Sequence, residues 1–113
     1  MKINLNNKKF VSSSNSKNGD VDVDTLFHYH QEGETIWAEY SGGDISKGSL
    51  VGKFLDESTI EFNYNHICES GELKAGTCKS TIVALESGKI KLKENWQWFT
   101  GDQSKGYSEI VEK

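Results

Sequence analysis

Short glycine-containing links between alternating apolar and polar segments are the feature that most constrains the fold of this chain. Three of them are Glu32-Gly33, Ser70-Gly71 and Ser87-Gly88, and each joins two segments in which apolar side chains recur at every second residue. A two-residue link of this kind is typical of a tight β-hairpin, whose register follows by counting outward from the turn. The sequence therefore predicts antiparallel strands and, for each strand, the side chains that share a face.

Eight strands follow from this pattern. No segment shows a sustained period of 3.6 residues between apolar side chains, so little helix is expected. Consecutive strands that pair in chain order form an antiparallel up-and-down meander, and closing the meander into a barrel removes its exposed edges. The predicted strands lie at about 8–13, 24–31, 34–41, 48–55, 59–68, 72–85, 89–99 and 106–112.

The length and charge of the chain exclude several classes of protein. With 113 residues it is expected to be a single domain, 1–113, in which residues 1–7 are weakly ordered or disordered. The net charge of −4 and the lack of a basic stripe argue against a nucleic-acid partner. The apolar runs are too short to span a membrane. No apolar signal core lies near the N-terminus, which favours a cytoplasmic location.

The two cysteines, Cys68 and Cys78, are predicted to remain reduced. Counting from Ser70-Gly71 places their side chains on opposite faces of a hairpin and separates them by about 17 Å, at roughly 3.4 Å per residue. That separation is far beyond the reach of a disulfide. Reduced thiols again fit a cytoplasmic protein.

The predicted register gives the central strands one face in water and one packed face. The packed face is apolar near the turns but becomes polar and aromatic toward its other end. There Lys79 lies opposite Trp96 and diagonal to Glu94, so the two charges could pair inside, as buried charges must. The candidate ligand-binding residues at this end are Tyr40, Tyr64, His66, Lys79, Glu94, Trp96 and Trp98.

Two interpretations of this polar end remain open. One is a structural ion pair between Lys79 and Glu94, with the tryptophans filling the interior. The other is a pocket, because a small eight-stranded barrel can hold one small ligand. In the pocket Lys79 would offer a cation to an anionic ligand, Glu94 a hydrogen-bond acceptor, and the aromatic rings a stacking surface. We take small-molecule binding as the expected function, with an unknown ligand and no cofactor.

Two further functions are alternatives to a binding protein. A small enzyme could use Glu94 and His66 for proton transfer, although no nucleophile motif accompanies them. A non-catalytic protein-interaction module would instead need an apolar outer surface, for which Trp37 and Phe99 on the predicted outer faces are candidates.

His28-x-His30 is a candidate metal motif, since both side chains point to the same side of a strand and could bind a metal if a third ligand approached. Counting from Glu32-Gly33 places the pair on the outer face or at the rim, and no metal site is predicted.

The segment Asp20-x-Asp22-x-Asp24 has the spacing with which a calcium loop begins. Thr25 and Gln31 stand where such a loop needs Gly and Glu, so a solvated loop is expected instead.

Several segments resemble one family over nearly the whole chain from Phe10 onward. The family consists of small single-domain bacterial proteins that are uncharacterised or labelled N-acetylglutamate synthase. The resemblance implies a lipocalin-like barrel and no known catalytic residues. An acetyl-CoA-dependent N-acetyltransferase is not expected, because the Arg/Gln-x-x-Gly-x-Gly/Ala turn of such enzymes is missing, and a binding protein is favoured over the enzyme alternative. The matching segments are Trp37 to Gly52, Phe62-x-Tyr64-x-His66, Gly76-x-Cys78-x-Ser80, Leu92-x-Glu94-x-Trp96-Gln-Trp98, Gly101-Asp102 and Gly106-x-Ser108.

Overall fold

Eight antiparallel strands, paired in chain order, close into a barrel in this computed structural model, which describes residues 3–113. The predicted all-β fold, an antiparallel up-and-down meander closed into an eight-stranded lipocalin-like barrel, is confirmed. No helix among residues 3–113 is long and apolar enough to cross a membrane. The strands are β1 (Lys9–Asn15), β2 (Leu26–Glu32), β3 (Thr35–Gly42), β4 (Ile45–Phe54), β5 (Thr59–Cys68), β6 (Leu73–Ala84), β7 (Ile90–Trp98) and β8 (Lys105–Glu112).

The links between strands alternate between two ends of the barrel. The closed end carries the links 33–34, 55–58 and 85–89, and the open end carries 16–25, 43–44, 69–72 and 99–104. Side chains of alternate residues point inward, so apolar residues at every second position build the core. Near the closed end the interior is mainly apolar, with Ile36, Ile60 and Leu92 fully buried.

Residues 3–7 pack against the closed end of the barrel. Leu5 is fully buried, and its backbone N–H donates to Oε1 of Gln31 at 2.8 Å. The backbone N–H of Asn7 donates to the carbonyl of Tyr29. An apolar side chain buried next to two such hydrogen bonds holds the segment in place. Residues 1–2 lie outside the described residues.

The register of β6 differs from the predicted one by a single residue. Backbone hydrogen bonds pair Cys68 with Glu72 and Leu85 with Lys89 just beyond the strand ends. The two hairpin turns of β6, 69–71 and 86–88, therefore each contain three unpaired residues and end in a glycine with positive φ (+90° at Gly71, +87° at Gly88). Three-residue links with a left-handed final residue are a common hairpin type. Because a shift of one residue turns every side chain to the other face, even-numbered residues of β6 point inward.

The predicted pairing of Phe54 with Ile60 between β4 and β5 is correct. The β2–β3 hairpin turns at 33–34 instead of Glu32-Gly33, so Phe27 pairs with Tyr40, two residues from the predicted register, and the shift of two leaves each side chain on its predicted face. The inward and outward side chains predicted for β2, β3, β4, β5 and β7 are therefore correct. Only the side chains of β6 are predicted on the wrong faces.

Candidate functional site

A small cavity lies in the open half of the barrel, between the core and the loop 16–25. Its volume is about 50 Å³, space for a few water molecules. The structure brings six of the seven candidate residues to its wall: Tyr40, Tyr64, His66, Glu94, Trp96 and Trp98. The remaining wall is formed by Asn15, Gly19, Asp20, Val21, Phe27, Leu50, Phe62, Cys78 and Ser108.

Lys79, the seventh candidate, lies on the outer surface, and its predicted inward position is wrong. Its side chain is 64% exposed, with Nζ 4.0 Å from a carboxylate oxygen of Glu61. The cause is the register of β6, in which Cys78 rather than Lys79 lies opposite Trp96. The same shift turns Cys78 inward, so both cysteines point into the barrel rather than to opposite faces. Both thiols are free and buried.

Glu94 lines this cavity and is the only buried carboxylate among residues 3–113. The hydroxyl of Ser108 donates to its Oε1 at 2.9 Å, and that of Ser80 donates to Oε2 at 3.5 Å. Burial raises the pKa of Glu94 to about 7, against the opposing effect of the two hydroxyls. The carboxyl group can therefore gain or lose a proton near neutral pH.

Two buried polar atoms beside this site have no hydrogen-bond partner within residues 3–113. They are Oδ1 of Asn15, in the cavity wall, and the hydroxyl of Tyr29. Burial and the nearby charge of Glu94 raise the pKa of Tyr29 well above 10, so this hydroxyl keeps its proton. An unpartnered buried polar atom costs free energy, and a molecule in the cavity could supply the missing partner to Asn15.

The loop 16–25 crosses the open end, and Asp20 fixes it to the barrel wall. Oδ2 of Asp20 lies 2.9 Å from Nε2 of His66, and Nζ of Lys74 lies 3.0 Å from the same oxygen. Burial raises the pKa of Asp20, but the hydrogen bonds from His66 and Lys74 outweigh it and hold the pKa below its ordinary value. The expected solvated loop is thus wrong at this residue, whose side chain is only 17% exposed.

His66 links the loop to the interior. Its Nδ1 lies 2.9 Å from the hydroxyl of Tyr40, which also approaches the backbone carbonyl of Asn65 at 3.2 Å. An ionised Asp20 can only accept, so Nε2 of His66 carries the hydrogen. In the neutral ring Nδ1 can only accept, so the single hydroxyl proton of Tyr40 is shared between Nδ1 and the carbonyl of Asn65. Both nitrogens of His66 are occupied by these partners.

A second contact holds the loop over Trp98. The indole N–H of Trp98 donates to the carbonyl of Asn18 at 3.2 Å, and the ammonium of Lys74 lies 5.2 Å from the ring centroid. The side chain of Asn18 in turn donates to the hydroxyl of Ser104 at 2.9 Å, in the neighbouring link. The open end is therefore covered by a hydrogen-bonded loop with a tryptophan beneath it.

Three of the cavity aromatics lie over a glycine on the adjacent strand. Tyr40 is paired with Gly48, Tyr64 with Gly76, and Trp96 with Gly106. A Cβ atom at any of these glycines would collide with the ring of its partner. Each glycine therefore lets an aromatic ring lie against the barrel wall, which leaves space at the centre.

Sequence reasoning missed several residues of the site. Ser80 and Cys78 were missed because the predicted register of β6 was wrong by one residue. Three-residue links would have placed both side chains inside the barrel. Lys74 was missed for the same reason, because it is an even-numbered residue of β6. Asp20 and Asn15 carry no periodic signal, because their positions depend on the path of a loop.

These observations define a small calycin-type barrel whose polar, aromatic interior ends in a cavity under a loop. A protein-family model described as "Avidin-like protein" matches residues 3–113. The chain therefore belongs to the avidin-like family. No curated protein matches it. The family match agrees with the small barrel that the sequence resemblance implied, and it carries neither the N-acetylglutamate synthase label nor a bacterial origin.

Proposed function

We propose that the protein binds one small organic molecule in the open half of the barrel, between Glu94 and the loop 16–25. The observation that carries this proposal is unused hydrogen-bonding capacity at an internal cavity. Within residues 3–113, Oδ1 of Asn15 is buried there without a partner, and the carboxylate of Glu94 has two hydroxyls but no cation among its contacts. Membership of the avidin-like family supports the same function.

The chemistry of the interior favours a ligand that donates hydrogen bonds. The expectation of an anionic ligand depended on Lys79, which lies outside. The nearest ammonium group at the open end, that of Lys74, is already paired with Asp20. At the inner wall a ligand meets Glu94, so an N–H or O–H group, neutral or cationic, is favoured there over a carboxylate or phosphate.

Ligand access requires movement of the loop 16–25. A cavity of about 50 Å³ holds only a few water molecules. A larger ligand must displace the part of the loop that lines the cavity, namely Gly19, Asp20 and Val21. We propose that the hydrogen bonds of Asp20 to His66 and Lys74 break and re-form as the ligand passes.

Tryptophan fluorescence tests this proposal. Trp37 lies on the outer face, so the Trp37→Phe variant leaves Trp96 and Trp98, both in the cavity wall, as reporters. The family description carries the name of avidin, so biotin is the first compound to titrate, followed by amines, amides and carboxylates of matched size. We expect a saturable change that weakens in Glu94→Gln and persists in Lys79→Met, whose side chain is outside. Emission that stays blue and unquenchable with every compound would contradict an accessible pocket.

Proton transfer is the second candidate function, favoured by the pKa of about 7 at Glu94. A carboxyl group that titrates near neutral pH can serve as an acid or a base. His66 is the weaker partner for this chemistry, because both of its nitrogens are occupied by Tyr40 and Asp20. A Glu94→Gln variant that retains ligand binding but converts no ligand, where the wild type converts it, would establish the enzyme.

A further inference from the structure

Three metal-ligating side chains meet on the outer face of the β2–β3 hairpin, on the other side of the wall from the cavity. His28 and His30 stand two residues apart on β2, and Glu39 is the direct partner of His28 on β3. Their neighbours Tyr29, Ala38 and Tyr40 point inward and are buried. Because side chains alternate along a strand, the two imidazoles and the carboxylate share one outer patch.

The donor atoms of these three residues already lie close together. Nε2 of His30 is 2.8 Å from Oε1 of Glu39, and the rings of His28 and His30 have their centroids 4.5 Å apart. One donor atom from each residue lies within 4.8 Å of those of the other two. The third ligand that the His28-x-His30 motif needs is therefore Glu39.

The hairpin also restricts the movement of these ligands. The ring of His30 stacks on Trp37 at 5.4 Å with an interplanar angle of 21°. The ring of His28 packs against that of His30, with the two planes tilted by 40°. All three ligands stand on paired strands rather than on a loop. Little rearrangement is needed to place them around one ion, because their backbone positions are fixed by the sheet.

We propose that His28, His30 and Glu39 form a surface binding site for one divalent transition-metal ion, Zn²⁺ being the representative. Two imidazoles and a carboxylate are a known zinc ligand set, and they leave a coordination position for water or an added ligand. Mg²⁺ and Ca²⁺ prefer all-oxygen sites, so they are expected to bind weakly. This proposal replaces the sequence-based expectation of no metal site.

A neighbouring lysine and a second cluster of metal-ligating side chains bear on this proposal. Lys9 is paired with His28 across β1 and β2, and its exposed ammonium lowers the affinity without blocking the ligands, since it can turn into water. A second group, Asp20, His66 and Cys68, also brings donor atoms together at the open end. There the ammonium of Lys74 already contacts both oxygens of Asp20, so a metal ion would have to displace a cation.

Titration calorimetry of the untagged protein with ZnSO₄ tests the proposal. We expect one equivalent of Zn²⁺ to bind, and the affinity to fall about tenfold or more in His28→Gln, His30→Gln and Glu39→Gln, as the loss of a direct ligand requires. The control is Glu61→Gln, which removes an outer carboxylate on β5 and should leave Zn²⁺ binding unchanged. Mg²⁺ in place of Zn²⁺ should give no comparable heat.

The side-chain nitrogen signals of the three histidines locate the ion independently. We expect zinc to shift the NMR signals of His28 and His30 and to leave those of His66 in place. Three results would overturn the proposal: no stoichiometric binding by the wild type, wild-type affinity in all three variants, or a zinc-dependent shift of His66 with His28 and His30 unmoved. The last result would assign the ion to the open end.

Discussion

The carboxylate of Asp20 and the imidazole of His66 join the loop 16–25 to the barrel wall, with 2.9 Å between Oδ2 and Nε2. The two residues are 46 positions apart in sequence, and their contact closes the open end over the cavity. Its strength depends on charge, since Asp20 also contacts Lys74. The loop is therefore the element through which both access to the cavity and its dependence on pH can be tested.

Asp20→Asn should expose the open end and activate Cys68. The pKa of the Cys68 thiol is raised by burial, by the charge of Asp20 and by its hydrogen bond to that carboxylate. Replacing the carboxylate with an amide removes the last two effects and weakens the attachment of the loop. We expect the thiol to react several-fold faster with a disulfide reagent, because the thiolate is the reactive form. Asp24→Asn, in the same loop, is the matched control, and equal rates in all three proteins would contradict the account.

Acid should release the loop. The folded pKa of Asp20 lies below its ordinary value of 3.8, so its ionised contacts stabilise the closed loop above that pH. This stabilisation is lost as the pH falls through the lower, folded value. We expect the quenching of Trp98 by acrylamide to increase below about pH 4, and the increase to be absent in Asp20→Asn. A wild type and variant with the same acid profile would show that Asp20 does not hold the loop.

Glu94 should make the barrel less stable as the pH rises. Its folded pKa of about 7 exceeds the ordinary 4.5, so the folded state binds more protons between these values. Stability therefore falls between about pH 4.5 and 7, by roughly 3 kcal/mol at most for a shift of this size. Glu94→Gln should lack this part of the pH dependence. Urea denaturation of both proteins at pH 5 and pH 8 measures it, and parallel losses in the two would refute the assignment.

Gly106→Ala should disturb the cavity through Trp96. A Cβ at Gly106 would meet the six-membered part of the indole ring, and overpacking of this kind costs about 1–3 kcal/mol. Phenylalanine lacks the outer atoms of that ring system, so Trp96→Phe should relieve the clash. We expect the double variant to lose less stability than the sum of the single losses, measured by urea denaturation. Additive losses would mean that the ring does not lie over the glycine.

The sequence predicted the barrel well because alternation and turns are local properties. Counting from the turns gave the right inward positions for Tyr40, Tyr64 and His66, because the β4–β5 register was correct and the β2–β3 register was wrong by two residues, which keeps every side chain on its face. The same counting failed for β6, since Gly71 and Gly88 adopt left-handed conformations at the end of three-residue links. One residue of shift was enough to exchange Lys79 for Cys78 and Ser80 inside the barrel.

The open end could not be predicted in the same way. Asp20 reaches His66 only because the loop 16–25 folds back across the barrel, and no periodic pattern describes that path. Glu94 was placed inside correctly, but its partners were not. The expected partner Lys79 is replaced by the hydroxyls of Ser80 and Ser108, and for this reason we propose a hydrogen-bond donor as the ligand in place of an anion.

The indole N–H signals of the wild-type protein report directly on whether a ligand binds inside the barrel. Trp96 and Trp98 line the cavity, and Trp37 on the outer face serves as the reference within the same spectrum. The protein is titrated with biotin and the panel of amines, amides and carboxylates. We expect at least one hydrogen-bond donor to shift the signals of Trp96 and Trp98 saturably while the signal of Trp37 stays in place. Stationary Trp96 and Trp98 signals with every compound, or a response confined to Trp37, would contradict a ligand site inside the barrel.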